Sequence, residues 1–257
     1  QNEMIEPILT GRLGNFMFEV ATAYAYSLRH NCEYNIPKIG GGVDEGVIEK
    51  YLSWFPNIEC NKRMPKDFKI WHEPTHAYTP IPYFENVKIS NYFQSEKYFK
   101  DFESEVKDLF NLYYTKISGV VSIHVRRGDY VKYHTMFPPI DRTYLKPAIS
   151  GFYNMNIRNF MVFSDDIQWC KQNLNSNHYQ GCAFEYSEGR NEYGDLVLMH
   201  NCEHNIIANS TFSWWGAWLN RNPNKIVVSP SYLNWFGKKS RVETKDIIPD
   251  NWIQVRF

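Results

Sequence analysis

From residue 120 onward, short apolar runs alternate with segments whose apolar positions recur at helical spacing. The run 120–125 predicts a strand buried on both faces. A helix over 142–153 follows, with Asp141 as its N-cap and Pro147 near its first turn. Strand 160–163 leads into Ser164-Asp165-Asp166, an expected helix start, and then helix 167–174. Strand 182–186 precedes helix 193–202, and strand 205–208 precedes a helix from Asn209-Ser210-Thr211 through Leu219. Strand 225–229 closes the series before Pro230. Repeated strand–helix units predict a parallel sheet covered on both faces, so the class is α/β and the second half reads as doubly wound.

The first half is less regular. Residues 4–9 read as a strand, and Thr10-Gly11-Arg12-Leu13-Gly14-Asn15 as a glycine-punctuated turn. A helix over 16–30 carries Met17, Val20, Ala21, Tyr24 and Leu28 on one face, with Arg29 and His30 at its negative end. Residues 32–82 hold Gly40-Gly41-Gly42 and scattered prolines, and predict loops with short elements. Residues 97–114 predict one amphipathic helix, with Phe99, Phe102, Val106, Leu109, Phe110 and Tyr113 along one stripe. The change of pattern suggests an N-terminal domain over 1–117 and a C-terminal domain over 118–257.

Composition narrows the function classes. Lys+Arg and Asp+Glu are each 28 in 257 residues, a balance that argues against nucleic acid as a partner. Aromatic residues make up 17%, enough for large cores and for a platform under a sugar or base. The cysteines at 32, 60, 170, 182 and 202 are odd in number and widely spaced, which predicts reduced thiols in a cytoplasmic protein. No run of about 18 apolar residues is present, so any membrane association is expected to be peripheral, at the inner face. His72-Glu73-Pro74-Thr75-His76 spells a zinc-protease pattern, but Pro74 opposes the helix that chemistry needs. Arg127-Gly128-Asp129 spells an adhesion tripeptide, yet it abuts a strand that reads as buried.

The chemistry gathers at strand ends. His124-Val125-Arg126-Arg127-Gly128-Asp129-Tyr130 puts two guanidiniums just past an apolar strand, where ligands of open α/β sheets bind. Paired arginines grip phosphate or pyrophosphate bidentately; Arg127 also reads as a partner for an internal carboxylate. Asn209-Ser210-Thr211-Phe212-Ser213 places small polar side chains and backbone N–H groups at a helix start, a second anion-binding arrangement.

Gly11-Arg12-Leu13-Gly14-Asn15, His124-x-Arg126-Arg127-Gly128-Asp129-Tyr130 and Phe163-Ser164-Asp165-Asp166 resemble the α-1,2-fucosyltransferases, glycosyltransferase family 11. Tyr92-Phe93-Gln94-Ser95-Glu96-Lys97-Tyr98-Phe99 resembles them too, as does His204-Asn205-Ile206-Ile207-Ala208-Asn209-Ser210-Thr211-Phe212-Ser213-Trp214-Trp215-Gly216-Ala217-Trp218-Leu219. Phe16 stands where the family usually has Gln, and residues 32–82 carry little of the resemblance.

The resemblance implies a GT-B-type fold, two Rossmann-like domains facing across a cleft, with the acceptor side N-terminal and the donor side C-terminal. It implies GDP-β-L-fucose as donor, a galactose-terminated oligosaccharide as acceptor, inversion at the anomeric carbon, and neither metal nor other cofactor. Arg126 would contact the β-phosphate, with Ser210, Thr211 and Ser213 donating to the phosphates. Arg12, as a donor-binding residue, and Asn15, as a catalytic one, would approach from the other domain. His124 and Asp195 would read guanine. Asp129 is the nearest base by sequence, or an orienter of Arg126; His134 and Glu96 are alternatives. Acceptor choice would lie in 32–82. A GDP-sugar transferase of other linkage or donor, and a non-catalytic glycan binder, remain the competing readings.

Overall fold

The computed structural model describes residues 2–40, 43–44 and 46–257, so the glycine run at 40–42 lies partly outside the described residues. The chain divides into two compact units, Gln1–Leu112 and Tyr113–Phe257. The division falls at 112/113 rather than 117/118 because Ile117 already pairs with Cys202 in the second unit's sheet.

In the first unit, β1 (Met4–Pro7), α1 (Leu13–His30), β2 (Glu33–Tyr34), α2 (Val47–Trp54), β3 (Lys69–His72), β4 (Asn86–Ser90) and α3 (Glu103–Phe110) build a parallel sheet of order β2-β1-β4-β3. The helix α1 begins at Leu13, not 16: Gly11 takes the left-handed φ of +78° that turns the chain, and Phe16 N–H bonds back to the Arg12 carbonyl at 2.9 Å. Phe16 is buried against the ring of Tyr51 at 5.3 Å, so it serves packing.

The helix expected over 97–114 forms only at Glu103–Phe110, preceded by the short 3-10 turns Glu96–Tyr98 and Lys100–Phe102. Phe99 leaves helical geometry at φ −145°, and Asn111 ends α3 in the left-handed region, leaving Tyr113 79% exposed. His72 ends strand β3, so the two histidines of the zinc-like pattern do not share a helix.

The second unit contains β5 (Ile117–Val125), α4 (Gly128–Lys132), α5 (Arg142–Asn154), β6 (Asn159–Ser164), α6 (Ile167–Asn173), β7 (Ala183–Tyr186), α7 (Glu192–Asn201), β8 (Cys202–Ile206), α8 (Thr211–Trp218), β9 (Val227–Pro230) and β10 (Ile253–Val255). Its parallel sheet has the order β10-β9-β8-β5-β6-β7. Counted from β5 and read from the β7 edge, this is 3-2-1-4-5-6, the doubly wound order whose direction reverses between β5 and β8. Val121, Ile123 and Val125 pack with Tyr144, Ile149, Phe160, Val162 and Ile206 in one core cluster. Trp214, Trp215 and Trp218 of α8 form a second, with Trp252 against Trp214. Much of the aromatic content is therefore core.

Candidate functional site

The reversal between β5 and β8 opens the sheet's carboxyl edge where Arg126 and Ser210-Thr211 stand. Arg126, just past β5, donates to Asp129 Oδ1 from Nε at 3.2 Å and from Nη2 at 2.9 Å, and its Nε lies 3.7 Å from Asp165 Oδ2. The Arg126 and Asp129 side chains stay 24% and 41% exposed, so this cation remains reachable. Arg127 turns the other way. Its Nε is 3.5 Å from Asp166 Oδ2, and its guanidinium carbon sits 4.0 Å from the Trp169 ring centroid. Its backbone N–H donates to Asp165 Oδ1 at 2.8 Å. Of the two uses the sequence left open, Arg127 takes the structural one. Gly128 allows this closeness, since a Cβ there would come within 2.6 Å of Asp165 Oδ2.

On the other side of the reversal, Ser210 is the N-cap of α8 and makes no side-chain cap bond. Helix geometry leaves the first-turn N–H groups without intrahelical acceptors and with partial positive charge. Thr211 is half-buried beside it. Ser213 is fully buried: its Oγ lies 2.8 Å from His124 Nδ1, accepts from Ala208 N–H at 3.2 Å and reaches the Ser210 carbonyl at 3.5 Å. A fully buried hydroxyl engaged three times over anchors the turn into α8.

His124 is also buried, and burial, then the charge of Arg126, pull its pKa down to about 3. It is therefore a neutral imidazole near pH 7. Asp195, in the first turn of α7 beyond β7, accepts from Ser187 Oγ at 2.5 Å, and burial raises its pKa. Asn209 is buried, its amide Nδ2 donating to the carbonyls of Pro138 and Trp235 at 2.9 and 3.1 Å, so the sequon at 209–211 has no free acceptor amide.

In the first unit, the corresponding reversal lies between β1 and β4. Arg12 caps α1 and is exposed, while Asn15 Oδ1 accepts from Gln94 Nε2 at 2.8 Å. Glu73 holds the loop that carries Gln94. It accepts from Phe93 N–H at 3.2 Å and from Tyr98 OH at 2.6 Å, with burial raising its pKa.

Sequence reasoning gave no role to Tyr130. Its hydroxyl donates to the Asn209 carbonyl at 2.9 Å, and its ring lies 5.5 Å from the Arg126 guanidinium carbon. It spans the reversal from the β5 side to the β8 side. A tyrosine one residue after the arginine–glycine–aspartate run was the available signal.

The sequence profile described as Glycosyl transferase family 11 matches residues 49–256. The chain belongs to glycosyl transferase family 11. This family 11 chain is 29% identical to the alpha-1,2-colitosyltransferase of Escherichia coli, over 96% of its own length and 97% of the relative's. It is 28% identical to the galactoside 2-alpha-L-fucosyltransferase SEC1 of Bos taurus over 81% of its length, and spans 62% of that protein. A mutant of Arabidopsis thaliana FUT1 in complex with GDP matches with a TM-score of 0.53 at 12% identity, covering 90% of this chain and 71% of that one. That likeness bears on fold alone. The family 11 chain has the GT-B-type α/β architecture, two units each built on a parallel sheet. Among the described residues, no helix is long and apolar enough to cross a membrane.

Proposed function

We propose that this family 11 chain is an inverting transferase that moves L-fucose from GDP-β-L-fucose to the 2-hydroxyl of a terminal β-galactoside without a metal. The observation that carries the reading is that Arg126 and the N-terminus of α8 follow the carboxyl ends of the adjacent strands β5 and β8, at the strand reversal. The acceptor oxygen attacks the anomeric carbon from the face opposite GDP, the bond to the β-phosphate oxygen breaks, and the negative charge stays on GDP. Arg126, the first-turn N–H groups of α8 and Thr211 meet that charge. His124, neutral and buried, and Asp195 bind guanine. Asp129 holds Arg126 through Oδ1 and takes the acceptor proton late, when the anomeric centre is oxocarbenium-like. Arg12 and Asn15 serve the acceptor-side unit.

The experiment is GDP release and product linkage from GDP-fucose with lactose and a panel of type 1 and type 2 galactosides, with and without EDTA. Release that persists in EDTA and yields a 2-linked fucoside is expected. No GDP above background with any galactoside defeats the reading, and a strict metal requirement defeats its metal-free step. A second reading, transfer of colitose, is favoured by the near full-length match to a colitosyltransferase. Colitose lacks the 3-hydroxyl of fucose, so competition between the two GDP-sugars separates the readings.

A further inference from the structure

The carboxyl edge of the six-stranded sheet extends well beyond the phosphate grip. Asp195 and Ser187 stand past β7 at one end, and Arg126 and the start of α8 stand in the middle. With strands about 4.8 Å apart, the edge continues for about 14 Å from β5 across β8 and β9 to β10. Past β9 and β10 it holds a cavity of about 350 Å³, whose lining includes Tyr232, Phe236, Lys238, Arg256 and Phe257. That volume lies within the range of small-molecule sites.

The walls are held in place. Asn234 Nδ2 donates to the Phe257 carbonyl at 2.6 Å, and Phe257 N–H returns to Asn234 Oδ1 at 3.1 Å. Tyr232 N–H donates to Gln254 Oε1 at 2.9 Å, and Thr244 Oγ1 donates to the Tyr232 carbonyl at 2.7 Å. A run of ring contacts leads from the phosphate grip to the cavity. The Arg126 guanidinium lies 5.5 Å from Tyr130, Tyr130 stacks on Phe137 at 5.0 Å and 16°, and Phe137 meets Phe236 at 6.1 Å.

We propose that this cavity is an acceptor subsite, binding the sugar that follows the terminal galactose of the oligosaccharide. The assignment rests on the donor reading above. With guanine toward Asp195 and the pyrophosphate at Arg126, the stretch of edge left for the acceptor runs toward β10. Aromatic rings supply flat apolar faces for the C–H side of a pyranose, and Lys238 and Arg256 supply donors for its oxygens. Lys238 and Arg256 in the lining can donate to an N-acetyl carbonyl or a carboxylate on that sugar. This places part of acceptor selection in the second unit rather than in residues 32–82 alone.

The test uses Phe236→Ala and, because Lys238 is exposed and its loss leaves packing intact, Lys238→Ala. With saturating GDP-fucose and the panel galactoside that the wild type uses best, the acceptor KM should rise about tenfold in each variant, as about 1.4 kcal/mol of lost contact implies. GDP affinity by calorimetry should stay unchanged. An unchanged acceptor KM in Lys238→Ala, or parallel loss of GDP and acceptor affinity, overturns the proposal. Saturation-transfer NMR of the GDP-loaded protein with each panel sugar gives a readout independent of turnover. Sugar signals that weaken in both variants support the subsite, and no signal from any sugar overturns it. Failure of the wild type to bind GDP at all would instead overturn the donor reading.

Discussion

Arg127 spends its side chain on Trp169 and Asp166, whereas Arg126 keeps a reachable guanidinium beside Asp129, Asp165 and the ring of Tyr130. The two substitutions to alanine should therefore diverge. Arg126→Ala should lower kcat by roughly 10²–10³, the usual loss when a donor aimed at developing charge is removed, while thermal stability stays near that of the wild type. Arg127→Ala should cost about 1–2 kcal/mol of stability through the lost cation–π and ion-pair contacts, while GDP affinity changes by less than about threefold. Denaturant unfolding alongside single-turnover kinetics checks both. Equal kinetic losses from the two variants would show that the pair acts as one phosphate clamp. Ser213, unlike half-buried Thr211, is fully buried, with its hydroxyl on His124 and the Ala208 N–H.

Elements matter here through what ties their ends together. The five-residue helix α4 after β5 and the eight-residue helix α8 after β8 belong to opposite halves of the doubly wound sheet, and the Tyr130 hydroxyl on the Asn209 carbonyl ties α4 to the turn before α8. Tyr130→Phe keeps the ring against Phe137 and removes that bond alone. A neutral hydrogen bond contributes about 1 kcal/mol, so GDP affinity should fall about fivefold while guanosine affinity, which lacks the phosphate grip, stays constant. Calorimetry with both ligands measures the difference; an equal fall for guanosine would make Tyr130 a general packing residue. The apolar runs of β5, β6, β8 and β9 were legible because their centres are buried, giving near-continuous patterns between helix signals, while β7 at the sheet edge alternates between exposed and half-buried. The strand β10 was not legible, since Ile253–Val255 is short and largely exposed at a sheet edge, and β4 offers only the five alternating residues Asn86–Ser90. Their strand state comes from pairing with β1, β3 and β9, information distant in sequence. The break at Phe99 was hidden for the same reason. Glu73 receives the Tyr98 hydroxyl from 25 residues away, and no local periodicity records that. Arg126, Ser210 and Thr211 were legible at their strand ends, but which of their neighbours are spent on the fold required the packing.

At the scale of the molecule, the two units carry buried ionisable groups with opposite pH responses. In the second unit His124 has its pKa pulled from 6.5 to about 3 by burial and by Arg126. Between those values the unfolded chain holds a proton that the folded chain does not, so stability falls as pH drops through this window, at up to about 1.4 kcal/mol per pH unit for one group. In the first unit Glu19 is fully buried within α1, accepting Thr10 N–H at 3.1 and 3.3 Å, and burial raises its pKa well above 4.5. Here the folded chain holds the extra proton. Its contribution is complete below pH 4.5 and is lost as pH rises through the folded value. Acid should therefore weaken the second unit and alkali the first. Glu19→Gln keeps an acceptor for Thr10 and removes the titration, so its melting temperature relative to wild type should climb as pH rises above 4.5 and level off beyond the folded pKa. His124→Gln should gain relative to wild type in the other direction, as pH falls from 6.5 toward 4. Scanning calorimetry across that range, with a ligand-free sample of each variant, reads both trends. Curves for Glu19→Gln that run parallel to wild type would mean that the carboxyl is ionised in the fold, and that the turn holding Gly11 and Arg12 rests on a buried charge rather than a neutral acid.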